Sequence, residues 1–205
     1  KPRGMVPNNT SEWIAVLGLL ASITGESRYL DRVPALLTFL EAVQLPSGEL
    51  PYELAGPHEP RTRLHYLCYQ YNAFQCIKLA WYAVKHDDAR ARALAEKLSD
   101  FLATGVLADG AVRASCSSRL PEVIYYADAV AEALHAVTLL GWRDHGALSD
   151  RVFRWVLAQQ NADGGFDHFS RGDYGVLSDR NEYPRYLAMT LFHLARRARD
   201  PRPVA

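Results

Sequence analysis

An all-α fold of stacked αα-hairpins, forming part of an α/α toroid of about seven helices, is predicted by three features of this 205-residue chain. First, a helix-like run ends three times in a glycine-centred turn and is followed by a second helix that opens on tyrosine. The three turns centre on Gly48, Gly110 and Gly165, and the tyrosine-led segments open at Tyr69, Tyr125 and Tyr183. Second, short polar turns alternate with long loops rich in glycine and proline. Third, no stretch keeps up a period-two alternation, so a sizeable sheet is not expected.

The elements follow in order. Apolar Ile14, Leu17, Leu20 and Ala21 sit at helical spacing, so a first helix is predicted over 12–24. Thr10 and Ser11 offer N-cap oxygens, and Gly25 supplies the stop. A second helix is predicted over 27–43, with Tyr29, Val33, Leu36, Leu37 and Leu40 on one side. The next five are expected over 66–85, 89–103, 122–140, 147–160 and 183–197. Helices two, four and six form one class. Helices one, three, five and seven form the other, more apolar in the body and polar-aromatic at the start. Stacked pairs of two such classes put one class inside and the other outside. The long loops and the starts of helices three, five and seven then share one face. The whole chain reads as a single helical domain, 1–205.

Bulk properties exclude some classes of function. Lys plus Arg equals Asp plus Glu, 23 each, so nothing favours a polyanion and no nucleic acid is expected as partner. The longest apolar runs, such as 13–21, are far short of a bilayer span, so no transmembrane segment is expected. The three cysteines, Cys68, Cys76 and Cys116, include no Cys-x-x-Cys pair. They point to packing residues and a reducing, cytoplasmic setting rather than to disulfides or a zinc ribbon. No His and carboxylate cluster has ligand spacing, so neither a metal nor another cofactor is expected.

The segment Gln159-Gln-Asn-Ala-Asp-Gly-Gly-Phe166 resembles the glutamine-to-glycine-aromatic turn of the prenyltransferase and squalene-cyclase repeat. The match is good over 152–166 and looser at Gln44/Gly48 and Asp109/Gly110. Thr24-Gly-Glu-Ser-Arg-Tyr29 is similar to the helix connector of α/α-toroid enzymes acting on polysaccharides. The resemblance implies a toroid and a cavity at the inner helix starts. Two of the family's chemistries are disfavoured. The chain lacks the Asp-x-Asp-Asp acid of class II terpene cyclases and the Asp-x-Cys metal pair of protein prenyltransferases. A closed toroid of the family has about twelve helices. Seven, beginning mid-repeat, suggest a C-terminal portion of a longer chain, or an arc completed by a second chain.

The candidate catalytic residues are Asp128, Tyr126, His65 and Arg185, and the candidate substrate-binding residues are Tyr69, Tyr71, Asn72, Tyr125, Glu182, Tyr183 and Tyr186. Tyrosine faces stack on the apolar faces of sugar rings, while Asn, Arg and Asp hydrogen-bond hydroxyls. Arg can neutralise a uronate while Tyr or His takes the α-proton, and a carboxyl pair can hydrolyse a glycosidic bond. The charges in the set favour a polysaccharide over an isoprenoid. The leading expectation is thus a carbohydrate-directed domain, its enzymatic class being lyase, epimerase or hydrolase. The alternatives are an isoprenoid-binding, cyclase-like protein and a non-catalytic module that binds another protein. The bland counterpart is that tyrosines at helix starts pack, with their hydroxyls in water, and that His135 and His193 lie deep in their helices as packing residues.

Overall fold

The structure, a computed structural model, describes residues 6–54, 62–64, 68–113, 124–166 and 182–199, without side chains for 62–64 and 124–126. The described residues hold seven α-helices. They are α1 (Pro7–Thr24), α2 (Val33–Val43), α3 (Cys68–His86), α4 (Ala89–Ala103), α5 (Ile124–Leu139), α6 (Gly146–Leu157) and α7 (Pro184–Arg199). A 3-10 turn covers Ser27–Leu30. Two short strands, β1 (Glu53–Leu54) and β2 (Thr62–Leu64), pair antiparallel in the long loop before α3. The fold class is all-α, built of αα-hairpins. The chain packs as two compact units, Lys1–Phe101 and Leu102–Ala205.

Two helix starts differ from the sequence expectation. α1 begins at Pro7 rather than Glu12, because proline at the first helical position has its φ preset and no N–H to satisfy. Ser11 is therefore inside the helix, and its hydroxyl donates to the Asn8 carbonyl at 2.9 Å. The helix expected over 27–43 is broken into the 3-10 turn and α2. Pro34 lacks the donor that a continuous helix would need there. Gly25 does end α1, left-handed at φ 74°.

In the first unit, α1 packs on α2 and α3. α1 and α3 run parallel. Glu12 pairs with Lys78, and further along Gly18 sits against Tyr82 and His86, with His86 Nε2 3.1 Å from the Gly18 carbonyl. Ile14, Leu37, Leu40, Leu79, Leu94 and Leu98 fill the core. Cys68 and Cys76 are buried thiols, as expected of packing residues. Burial pushes Cys76 up to about 12. Cys116 lies outside the described residues.

In the second unit, α5 packs on both α6 and α7. Ala127, Ala129, Val130, Ala131, Ala133, Leu134 and Val137 are all buried, so α5 is enclosed on every side. A helix buried all round is an interior helix, which suits the inner class read from the sequence.

The repeated turn is a common hydrogen-bonded structure. Leu45 N–H reaches Glu49 O, and Gly48 N–H reaches Leu45 O. Leu107, Ala111 and Gly110 repeat the scheme, as do Asn161, Gly165 and Gly164. The side chain before each glycine accepts from the backbone two residues on: Ser47 from Glu49, Asp109 from Ala111, Asp163 from Gly165. Gln44 and Gln160 brace the first and third turns by donating to Gly48 O and Gly164 O. In the second, position 106 is valine, and a Val106–Val112 bridge takes over. The left-handed glycine is Gly48, Gly110 and Gly164 (φ 92°, 99° and 94°). The third copy is therefore centred on Gly164, one residue before Gly165. Gly165 has another duty, described below.

Candidate functional site

α5 carries Asp128, Glu132 and His135 at i, i+4 and i+7, a spacing that places them on one stripe. α7 carries Tyr183, Tyr186, Thr190, His193 and Arg197 along a similar stripe, with Tyr183 just before its first residue. The two stripes meet. Asp128 lies beside Thr190, whose hydroxyl favours its ionised form. Glu132 faces His193 Nδ1 and receives Arg196 Nε at 2.6 Å. Arg197 Nη1 lies 2.5 and 2.8 Å from the two ring nitrogens of His135, and Arg197 also pairs with Asp150 of α6. The partners advance together, so α5 and α7 run parallel, as α1 and α3 do.

This seam is buried. Asp128, Glu132, His135, Thr190 and His193 are each no more than 5% exposed. A carboxylate only accepts, so the imidazole donates its Nδ1–H to Glu132. Glu132 thus sits between two donors, the His193 imidazole and the Arg196 guanidinium. Asp128 is held differently. Its Oδ1 accepts the Ala129 N–H at 2.6 Å, while its Oδ2 is buried with no partner. Burial raises the carboxyl to about 7, opposed by His193, the Thr190 hydroxyl and the Ala129 amide and assisted by Glu132. Such a group can give or take a proton near neutrality.

The α7 stripe passes from exposed to buried. Tyr183 is 39% exposed, Tyr186 half-buried, and their rings meet edge-on at 5.3 Å. Glu182 lies beside them. Asn161 Nδ2 donates to Glu182 Oε1 at 2.9 Å, and the carboxylate rests on Gly165, where any Cβ would overlap it. The double glycine of the third turn therefore has two reasons. Gly164 supplies the left-handed backbone, and Gly165 leaves room for Glu182. Arg185 is exposed at the second residue of α7.

The remaining sequence candidates divide. Tyr125 and Tyr126 lie in the first turn of α5, but their side chains, like the whole of His65, are outside the described residues. Tyr69 is buried and stacked on Phe101, with centroids 4.9 Å apart and planes 10° apart. Asn72 is buried and its amide is committed to backbone: it accepts from Leu50 N–H at 2.7 Å and donates to Leu50 O and Cys68 O. Tyr71 is half-buried, its ring 4.8 Å from Tyr52. The sequence reading did not select Glu132 and Thr190 and set His193 aside as packing. The signal that finds Glu132 is the polar row Asp128, Glu132 and His135 at i, i+4 and i+7 within the otherwise apolar α5; Thr190 and His193 have no such signal. Among the described residues no group of three metal-ligating side chains is positioned to hold an ion, and no helix is long and apolar enough to cross a membrane.

No protein-family profile matches this sequence, and no curated protein is significantly similar to it. Solved structures do resemble the fold. A possible member of the GH105 glycoside hydrolase family from Salmonella enterica serovar Paratyphi A superposes with a TM-score of 0.77 at 13% identity, over 96% of this chain and 57% of its own. A possible GH105 member from Klebsiella pneumoniae gives 0.72 at 10% identity, over 96% of this chain and 56% of its own. The chain thus spans little more than half the length of these two structures. At such identities the likeness shows the fold, an α/α toroid type.

Proposed function

We propose that the chain is a carbohydrate-processing α/α-toroid domain in which Asp128 moves a proton to or from a sugar. The observation that carries this reading is the fold likeness to two possible glycoside hydrolases over almost the whole chain. The α5–α7 seam supplies the chemistry. The Tyr183 and Tyr186 rings, Arg185 and Glu182 form the entrance, where aromatic faces stack on a sugar ring and charged groups bind hydroxyls. Asp128 stands on the facing α5 stripe, further along the seam beside Thr190. As the glycosidic C–O bond breaks, the neutral carboxyl gives its proton to the departing oxygen and becomes a carboxylate, while a water molecule bonds to the sugar carbon and the proton it releases restores the acid. His193 and Thr190 then stabilise the new charge, and both already favour the ionised form. Glu132 fixes the imidazole in place for that task. In this reading Tyr126, in the first turn of α5, and His65 are further candidate catalytic residues.

The test is the release of new reducing ends from a polysaccharide panel between pH 5 and 8. A positioned acid contributes about 10²–10⁴-fold to rate, so Asp128→Asn is expected to lose activity on that scale. Full activity in a folded Asp128→Asn protein would remove the assignment.

A further inference from the structure

The first unit contains a polar arrangement that neither its packing nor the proposed acid uses. Gln75, on α3, is 1% exposed, yet neither its Nε2 nor its Oε1 has a hydrogen-bond partner. Asn8, on α1, has a buried Oδ1 that is also unpartnered. A buried polar group left unpaired is costly, so three hydrogen-bonding atoms at one level of a helix pair call for an occupant.

The helix register puts these atoms together. Glu12 meets Lys78, and Gly18 meets Tyr82. Asn8 is one turn before Glu12, and Gln75 is about one turn before Lys78. Tyr71, Gln75, Lys78 and Tyr82 follow one another at i, i+4, i+7 and i+11, so Tyr71 and Gln75 share the stripe that faces α1. The half-buried Tyr71, packed with Tyr52, adds an aromatic surface one turn away.

We infer that the first unit holds a binding site for a neutral hydroxylated ring, a sugar residue, between the first turn of α1 and the first two turns of α3. The chemistry selects this class. The carboxamide of Gln75 offers one donor face and one acceptor atom, which match two neighbouring hydroxyls. Asn8 Oδ1 accepts a third O–H. The Glu12–Lys78 pair cancels its own charge, so no net charge attracts an ionised ligand. Tyr71 and Tyr52 provide the apolar surface on which the C–H face of a sugar packs. The site rests on the reading that the protein is carbohydrate-directed, and it extends that reading to residues in the other unit.

The experiment titrates the full chain with the methyl glycosides of glucose, galactose and mannose, following the Gln75 side-chain amide by NMR. A saturable shift with at least one glycoside is expected, retained in Asp128→Asn. Gln75→Leu should weaken that binding at least tenfold while the melting temperature stays level or rises. Two outcomes overturn the site: no saturable shift with any glycoside, or a Gln75→Leu protein that melts lower yet binds as before, which marks a structural water. If Asp128→Asn keeps full activity but the Gln75 shift persists, the acid assignment falls and this site stands.

Discussion

Glu132 and His193 face each other across the α5–α7 seam, the imidazole Nδ1–H donated to Oε2 of a carboxylate that is 5% exposed. Arg196 secures the other oxygen. Taking charges out of water is expensive, and the pair holds only while both partners remain. Removing one leaves the other buried and uncompensated. Glu132→Ala is therefore expected to cost about 3–5 kcal/mol in urea denaturation. Joint replacement, Glu132→Leu with His193→Leu, should cost less than the sum of the two single changes. A strictly additive result would mean that the two groups do not act as a pair.

Asp128 makes stability depend on pH in the opposite direction from an ordinary ion-paired carboxylate. Its folded value is about 7 against an unfolded 3.8, so between these limits the native state binds more protons. Stability associated with the proton is complete below about 4 and is lost as pH rises through 7. Three units correspond to a difference on the order of 4 kcal/mol for a group buried this deeply. Wild type minus Asp128→Asn, measured by denaturation at pH 4.5 and pH 8, should fall by a large part of that amount. A difference that does not change with pH would show that the carboxyl stays ionised.

Much of the architecture was legible because it rests on local chemistry. The glycine turns, the alternating loop lengths and the apolar spacing of the helices are all short-range signals. They yielded seven helices and two helix classes. The third repeat was read one residue late, because Gly164 and Gly165 look alike in sequence. Only Glu182, 17 residues away, explains the second glycine. The site was less legible for a related reason. Asp128 stood out as a charge near a helix start, but its neighbours Thr190 and His193 are more than 60 positions away. No local pattern pairs them, and only the parallel register of α5 and α7 does. Asn72 shows the converse. A polar residue at an inner helix start suggests a ligand contact, whereas its amide is occupied by Leu50 and Cys68.

The turn glycines should separate sharply from the helix-cap glycines. A Cβ at Gly48 would overlap the Lys97 carbonyl, and one at Gly110 would sit 2.5 Å from the Arg151 carbonyl, both at positive φ. Gly25 and Gly141 also have positive φ but open space around them. Alanine at Gly25 or Gly141 is expected to cost about 1 kcal/mol, the left-handed penalty alone. Gly48→Ala and Gly110→Ala add a backbone collision and should cost several kcal/mol, about as much as overpacking a core. Thermal melts of the four variants test this ranking. Equal losses would show that the turns yield to the added methyl.

Asn72 anchors the start of α3 to the segment before β1. Its Oδ1 accepts from Leu50 N–H, and its Nδ2 serves both Leu50 O and Cys68 O, all within a buried setting. Leu50 itself is fully buried, so water cannot replace the lost partners without opening the core. Asn72→Ala strands the Leu50 N–H and carbonyl, while Cys68 O keeps its helical bond, and is expected to cost about 2–6 kcal/mol, at about 1–3 kcal/mol for each unsatisfied group. Asn72→Asp keeps the acceptor for Leu50 N–H but places a carboxylate against two carbonyls, so it should be no better near neutral pH. Amide hydrogen exchange locates the effect. Leu50 should exchange much faster in Asn72→Ala, whereas amides of the α5–α7 seam should be protected as before. Unchanged protection at Leu50 would show that Asn72 is not the clamp.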